Sequence, residues 1–253
     1  MGTLLMLLLM ILERRSGVSI EQYASRHFVT DVAHRIAYII YAAVLYTPVS
    51  EAARVACPML DVAWLNRSPL WFAIPVYFLI FDFLGYWIHR LQHSSFWWRF
   101  HRVHHSQEQM TFATGFRNHP IDQMLAHVLT LIPLLLIGAP TVSWLPYAVL
   151  LAFVDASHHA NLPWHFGWAR KVFVSPVFHA THHSVDPLVR DRNFGGLFSM
   201  WDFLFGTAVD AERRPDRTGV EGWRVTESWW AHLWSPFRRG AVRDPGPEQR
   251  NRP

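Results

Sequence analysis

The sequence predicts an all-α, polytopic membrane protein, with about four transmembrane helices topped by a cytoplasmic, histidine-rich helical cap. Three observations lead there. Of the 253 residues, 51% are hydrophobic and only 17% charged, against about 25% charged in soluble domains, and the mean hydropathy is +0.09. The apolar residues gather into long runs separated by polar segments. Among 16 histidines, three tight clusters fall in those polar segments. Within each the spacing is three or four, which puts the rings on one side of a helix.

Taken in order, residues 2–12 are an apolar run closed by Glu13-Arg14-Arg15. The run is shorter than the ~20 residues a crossing helix needs, and it lacks the basic start of a secretory signal. Residues 1–27 are therefore expected to be an interfacial or partial transmembrane segment. Residues 28–46 are the first expected span, with Asp31, His34 and Arg35 near its start, and residues 69–88 the clearest, with Asp82 their only charge. The runs 121–137 and 142–154 are shorter. Gly138-Ala139-Pro140 between them is a stop and turn signal, so the pair reads as a tilted or partial hairpin. The membrane-embedded domain is placed at 28–207. Residues 208–253 are expected to be a polar cytoplasmic tail, disordered from Asp244 onward.

The order of spans brings the clusters together. The span ending near Ile88 delivers His89 and His93 to one membrane face, and His101, His104 and His105 follow on that face. The hairpin leaves near Ile121 and returns near Asp155, so His158, His159, His179, His182 and His183 share it as well. Arg14, Arg15, Arg26, Arg90, Arg99, Arg102, Arg117, Arg170 and Lys171 lie on that side, whereas the opposite loop carries only Arg54 and Arg67. By the positive-inside rule the histidine face is cytoplasmic. Trp64, Trp71 and Trp144 fall near the outer boundary, and Trp87, Trp97, Trp98, Trp164 and Trp168 near the inner one, as an aromatic belt. The net charge of +4 does not imply nucleic acid, because the arginines flank apolar runs instead of forming one stripe. The single cysteine, Cys57, excludes an intramolecular disulfide framework and a Cys-ligated metal cluster held by this chain alone.

The clusters are His89-Arg90-Leu91-Gln92-His93, His101-Arg102-Val103-His104-His105 and His179-Ala180-Thr181-His182-His183. Imidazole is the commonest protein metal ligand, and eight of them are more than one ion needs and about what two need. His159, where the hairpin returns, is a further candidate ligand. His119, His127, His158 and Asp155 stand beside the clusters, either as ligands or as packing residues. His27, His34, His165 and His232 read as ordinary core or surface histidines. Asp82 and Tyr86 share a helical stripe with His89 and His93 and are expected either to orient those ligands or to form an interior hydrogen bond. Imidazole ligation suits zinc, copper, iron or nickel.

The ordered set resembles the fatty acid hydroxylase/sterol desaturase superfamily. The three clusters match its histidine boxes. The surrounding words Asp82-x₃-Tyr86-x₂-His89-Arg90, Trp98-Arg99-Phe100-His101-Arg102-Val103-His104-His105-Ser106, His159-Ala160-Asn161-Leu162, Asp191-x-Asn193-Phe194-Gly195 and Trp201-Asp202-Phe203-Leu204-Phe205-Gly206-Thr207 also match the family style. The resemblance runs from about residue 70 to 207. It implies an integral membrane oxidoreductase that hydroxylates or desaturates a lipid, using O₂ and two iron ions (Fe²⁺/Fe³⁺), with zinc as a substitute metal. It further implies that His89, His93, His101, His104, His105, His159, His179, His182 and His183 hold the iron, with Asn193 either supporting them or serving as a turn or cap residue. Two departures are Ala180-Thr181 between the histidines of the last box, where Arg-Val or a similar pair is common, and Asp122 after His119-Pro120, where the acid is often Glu. The chain shows no strong dinucleotide fingerprint, so a separate ferredoxin-, cytochrome- or flavin-type partner is expected to supply electrons. A metal transporter would instead place its ligands inside the spans, and a zinc-dependent membrane hydrolase would work without O₂.

Overall fold

The computed structural model describes residues 2–56, 65–137 and 144–238. The expected turn at 138–140, Cys57, Trp64, the side chain of Trp144 and the tail from residue 244 lie outside them. Among the described residues every regular element is helical, and extended pairing is limited to two isolated bridges, Phe173 with Phe198 and Ser184 with Thr218.

Helix α1 (Gly2–Arg15) docks by a single face. Leu9 is buried against Phe112, Ala113, Ala156, Ala160 and Leu162, while Leu4, Leu7 and Ile11 are exposed. Its last turn carries a buried carboxylate. Glu13 accepts hydrogen bonds from the backbone N–H groups of Phe112 (2.9 Å) and Asn161 (2.6 Å) and from the Tyr23 hydroxyl (2.8 Å). These tie α1 to two loops of the histidine layer.

Helix α2 (Arg26–Tyr41) starts at Ser25, whose hydroxyl accepts from the Phe28 N–H (3.2 Å), satisfying one of the free donors of a helix start. It runs through a π-turn at Ala42–Tyr46 into α3 (Thr47–Ala56). The expected end near residue 46 is thus a bulge inside a longer helical rod. The extra residue turns Tyr46 inward, where its hydroxyl donates to the Pro120 carbonyl (3.0 Å) and its ring stacks on His127 (5.0 Å).

Helix α4 (Leu70–Gln92) begins behind Pro69 and extends one turn beyond the expected residue 88, so that His89 is helical and His93 is the cap residue. Two stretches, Arg26–Ala52 and Leu70–Gln92, are long and apolar enough to cross a membrane, and only 22% of the apolar window of each is buried. That exposure sets them apart from the core helices of a soluble protein, which hide their apolar sides.

Helix α5 (Trp98–His105) carries the second cluster. Helices α6 (Pro120–Ile137) and α7 (Trp144–His159) follow. Then comes α8 (Pro176–His182), capped by the Ser175 hydroxyl on the Phe178 N–H (3.1 Å) with Pro176 at its first turn, the position where proline loses nothing. Short helices α9 (Met200–Leu204) and α10 (Trp229–Trp234) complete the layer. Residues 208–238 do not trail away from the fold. Gly219 N–H donates to the His183 carbonyl (3.1 Å), and Glu227 and His232 reach into the interior, as described below.

Candidate metal centre

The local geometry follows from helix periodicity. Positions three and four apart on α4, α5 and α8 project their rings to one side, and the three helix ends meet with the end of α7. Nine histidines come together in two groups. His89, His93, His101, His105 and His182 form one, and His104, His159, His179 and His183 the other; within each group the nearest ligand atoms all lie within 4.8 Å of one another. The groups adjoin, since the rings of His105 and His183 are 4.4 Å apart. The third cluster is divided between them, with His182 in the first group and His183 in the second.

Six of the nine rings have Nδ1 fixed by an acceptor. His89 donates to the Phe194 carbonyl (2.8 Å), His93 to Asp191 Oδ1 (2.7 Å), His101 to Asp122 Oδ2 (2.9 Å) and His182 to the Arg192 carbonyl (2.6 Å). In the second group His104 donates to the Arg117 carbonyl (3.1 Å) and His159 to the Asp155 carbonyl (2.8 Å). A hydrogen on Nδ1 leaves Nε2 as a bare lone pair. In the first group Nε2 of His93, His101, His105 and His182 is buried without a hydrogen-bond partner. In the second, Nε2 of His159 lies 3.2 Å from Nε2 of His104 and 2.9 Å from that of His179. With both Nδ1 atoms protonated, His104 and His159 aim two lone pairs at each other, an arrangement that repels unless a cation stands between them. The donor set therefore fits two metal ions, one per group.

Electrostatics point the same way. Burial pushes His105, His179, His182 and His183 well below the ordinary imidazole range, and the neighbouring rings add to it. Neutral imidazole is the form that binds metal.

One strand of loop supplies most of the support. Asp191, Arg192 and Phe194 each hold one ring of the first group. Asn193 between them adopts a left-handed conformation (φ 57°), and its amide bonds to the Phe178 and Val209 carbonyls (3.0 Å each) and accepts from the Val209 N–H (2.6 Å). Asp82 accepts from the Leu197 and Phe198 N–H groups and the Trp201 indole (2.6, 2.9 and 2.9 Å). Tyr86 bonds Thr207 (2.8 Å), which donates to Asp202 (2.6 Å), and Asp202 accepts from the Phe194 and Gly195 N–H groups. Asp82, Tyr86 and Asn193 thus touch no histidine of the two groups in these bonds; they brace the loop whose carbonyls do.

The other candidates fall outside both groups. His158 is buried with its ring 6.3 Å from that of His179. His119 bonds the Leu233 carbonyl (3.0 Å) and His127 the Ser50 hydroxyl (2.8 Å). The Asp155 carboxylate is 52% exposed and 3.5 Å from His159 Nδ1. His34 and His232 stack on each other and share a hydrogen bond (3.2 Å). His27 faces Glu227, and His165 accepts from the Gly167 N–H.

Sequence reasoning did not identify Arg117, which is fully buried. It pairs with Asp31 (2.5 Å) and Glu227 (2.9 Å), donates to Ser106 (3.1 Å), and offers its own carbonyl to His104. Nor did it assign Asp122 to His101; the acid stood out only as a departure from the family pattern. Gly115 was silent too. A Cβ there would lie 2.3 Å from Asp155 Oδ2 and 2.9 Å from His159 Nδ1.

The family model for fatty acid hydroxylase matches residues 74–207. The chain is similar to an ornithine lipid hydroxylase of Rhizobium tropici, 33% identical over 74% of this chain and 58% of that protein. It is similar to an alkylglycerol monooxygenase of Danio rerio, 29% identical over 70% of this chain and 40% of that protein. A very-long-chain aldehyde decarbonylase of Oryza sativa subsp. japonica is 30% identical over 52% of this chain and 44% of its own length. The chain thus spans about half the length of these relatives. No solved structure matches.

Proposed function

The chain belongs to the fatty acid hydroxylase family, and from that footing we propose that it is a multi-pass membrane oxidoreductase that uses O₂ and external electrons to hydroxylate or desaturate a lipid. One observation carries the reading: nine buried or half-buried imidazoles divide into adjoining groups of five and four, beside helices long and apolar enough to cross a membrane. Relatives named as a lipid hydroxylase and an alkylglycerol monooxygenase support the substrate class.

In this proposal His89, His93, His101, His105 and His182 hold one iron ion and His104, His159, His179 and His183 the other. Bound iron supplies activation of O₂ and oxidation of an unactivated C–H bond. Zinc can occupy the same imidazoles but does not supply that chemistry.

The chain's own part is positional. The Nδ1 acceptors fix each ring's tautomer and direction. Asp122 and Asp191, as carboxylate acceptors, make His101 and His93 stronger donors than a carbonyl would. Burial of the layer keeps water away from the reacting carbon and holds the imidazoles neutral. The bracing of the 191–198 loop by Asp82 and Asp202 keeps the first group in register through metal exchange. The remaining helices, α6 and α7, complete about four crossings, with the histidine layer on the cytoplasmic face, where a separate ferredoxin-, cytochrome- or flavin-type donor reaches it.

Lipid profiling of cells with and without the gene product tests the reading. Expected is a product heavier by one oxygen or lighter by two hydrogens, formed only with O₂ and absent from a His104→Ala strain. Lipid turnover that proceeds anaerobically with zinc alone would overturn it, as would metal uptake into sealed vesicles with the lipids unchanged.

A further inference from the structure

The end of the described chain has two unlike faces. The inner face of α10 and of the following turn, Ser235–Phe237, is polar and fixed. His232 stacks on His34, the Leu233 carbonyl accepts from His119, and the Ser235 carbonyl accepts from Arg102 (3.3 Å). The outer face is aromatic. Trp230, Trp234 and Phe237 are 66, 53 and 55% exposed, and their spacing of four and three puts them on one side. Phe237 meets Phe100, and Phe100 meets Phe96, itself 55% exposed. The exposed rings of α10 and of the turn that follows α4 thus flank one buried aromatic, Phe100.

A helix of six residues does not form by propensity, and the Ser228 cap (3.2 Å to the Ala231 N–H) and the inner contacts hold it. Nothing in those contacts requires three large aromatic side chains on the other side. Exposed rings gathered in this way mark a contact surface.

The place of α10 in the fold indicates what covers them. His34, its stacking partner, lies within the apolar stretch Arg26–Ala52, and the α2 residues around it in sequence, Val29, Val32 and Ile36, are exposed. Phe96 follows Gln92, the last residue of the other apolar helix. The Arg99 guanidinium lies over the Phe96 ring at 4.2 Å, and Arg238 is exposed beyond Phe237. Tryptophan and phenylalanine beside arginine, where apolar helices end, match the headgroup layer of a bilayer. The acid just ahead of this segment, Glu227, is turned inward to Arg117 and does not oppose an anionic surface.

We propose that residues 228–238 are an interfacial membrane anchor, with Trp230, Trp234 and Phe237 seated among lipid headgroups and upper acyl chains. Anchoring the outer face holds the inner face against His34, His119 and Arg102 and keeps Glu227, just ahead of it, on Arg117, whose carbonyl orients His104. The proposal rests on α2 and α4 crossing the membrane, and its test separates the two.

In the full chain, Cys57→Ser removes the only cysteine. Single cysteines are then placed at Trp230, Trp234, Leu79 (mid-α4) and Glu221 (an exposed loop residue), spin-labelled, and reconstituted into phosphatidylcholine–phosphatidylglycerol vesicles. Collision with O₂, which partitions into lipid, is compared with collision with a water-soluble nickel chelate. The expected result is an oxygen-to-nickel ratio at Trp230→Cys and Trp234→Cys several-fold above that at Glu221→Cys and approaching that at Leu79→Cys. Ratios equal to Glu221→Cys while Leu79→Cys is lipid-like overturn the anchor alone. Weak collision with both reagents means that protein covers the face, and overturns it too. A water-like Leu79→Cys overturns the membrane crossing itself, and the anchor with it.

Discussion

At the scale of single residues, the site depends on atoms that hold rings more than on the rings' own spacing. Asp122 is buried with one oxygen on His101 Nδ1 at 2.9 Å. Replacing it by Asn removes the charge while keeping the shape, and such supporting partners are worth roughly 10–100-fold in metal affinity. Asp122→Asn is expected to weaken metal binding by about that factor without unfolding the chain, measured by competition with a chelator. Gly115 offers a different test, because its missing Cβ makes room for Asp155 and His159. Gly115→Ala is expected to cost about 1–3 kcal/mol through overpacking and to disturb the four-histidine group before the five-histidine one, seen as partial metal loss. The histidine spacing was plain in the sequence because helix periodicity is local. The roles of Asp122 and Gly115 were not, since each acts on a ring brought to it by tertiary structure.

At the scale of elements, one buried ion network joins three parts of the chain. Asp31 on α2 and Glu227 ahead of α10 meet Arg117, which lies 86 and 110 positions away from them. No pattern of local spacing announces a contact at such separations, and residues 208–238 read as a polar tail for that reason. Burial alone would raise Glu227, but its hydrogen bond to His232 and the nearby Arg117 hold it down to about 2. Removing one partner of a buried pair strands the other charge and costs about 3–5 kcal/mol. Arg117→Met is expected to destabilise by that amount in thermal unfolding, and Arg117→Lys to recover little of it, because one ammonium does not replace a fork serving two carboxylates. Three of the four apolar runs were legible as helices to within about five residues, and the first continues to Ala56, well beyond its expected end at 46. The π-turn at Ala42–Tyr46 was not, because it is fixed by where Tyr46 must reach, namely Pro120 and His127.

At the scale of the whole molecule, the buried imidazoles make stability depend on pH. The folded chain holds His105, His179, His182 and His183 below the ordinary value of 6.5, so on acidification the unfolded chain takes up protons first. Stability is then greatest above pH 6.5 and falls below it, by up to about 1.4 kcal/mol per pH unit for each such histidine. Glu227, depressed from 4.5 to about 2, adds a second loss between those values, since the unfolded carboxylate protonates first there. Metal-free protein is expected to melt at progressively lower temperature as pH falls from 7 to 5; a melting temperature that rises over that range would contradict the burial described. Metal loading should weaken in the same direction, since protons compete for the same Nε2 atoms.

The two histidine groups are proposed to hold one metal ion each. Metal analysis of protein purified from iron-supplied cells, alongside His104→Ala and His182→Ala, tests it most directly. Two ions per folded chain are expected, one for each group, with His104→Ala lowering occupancy of the four-histidine group and His182→Ala that of the five-histidine group. A folded wild-type chain that binds one ion or none, or two variants that keep the full complement, would contradict it.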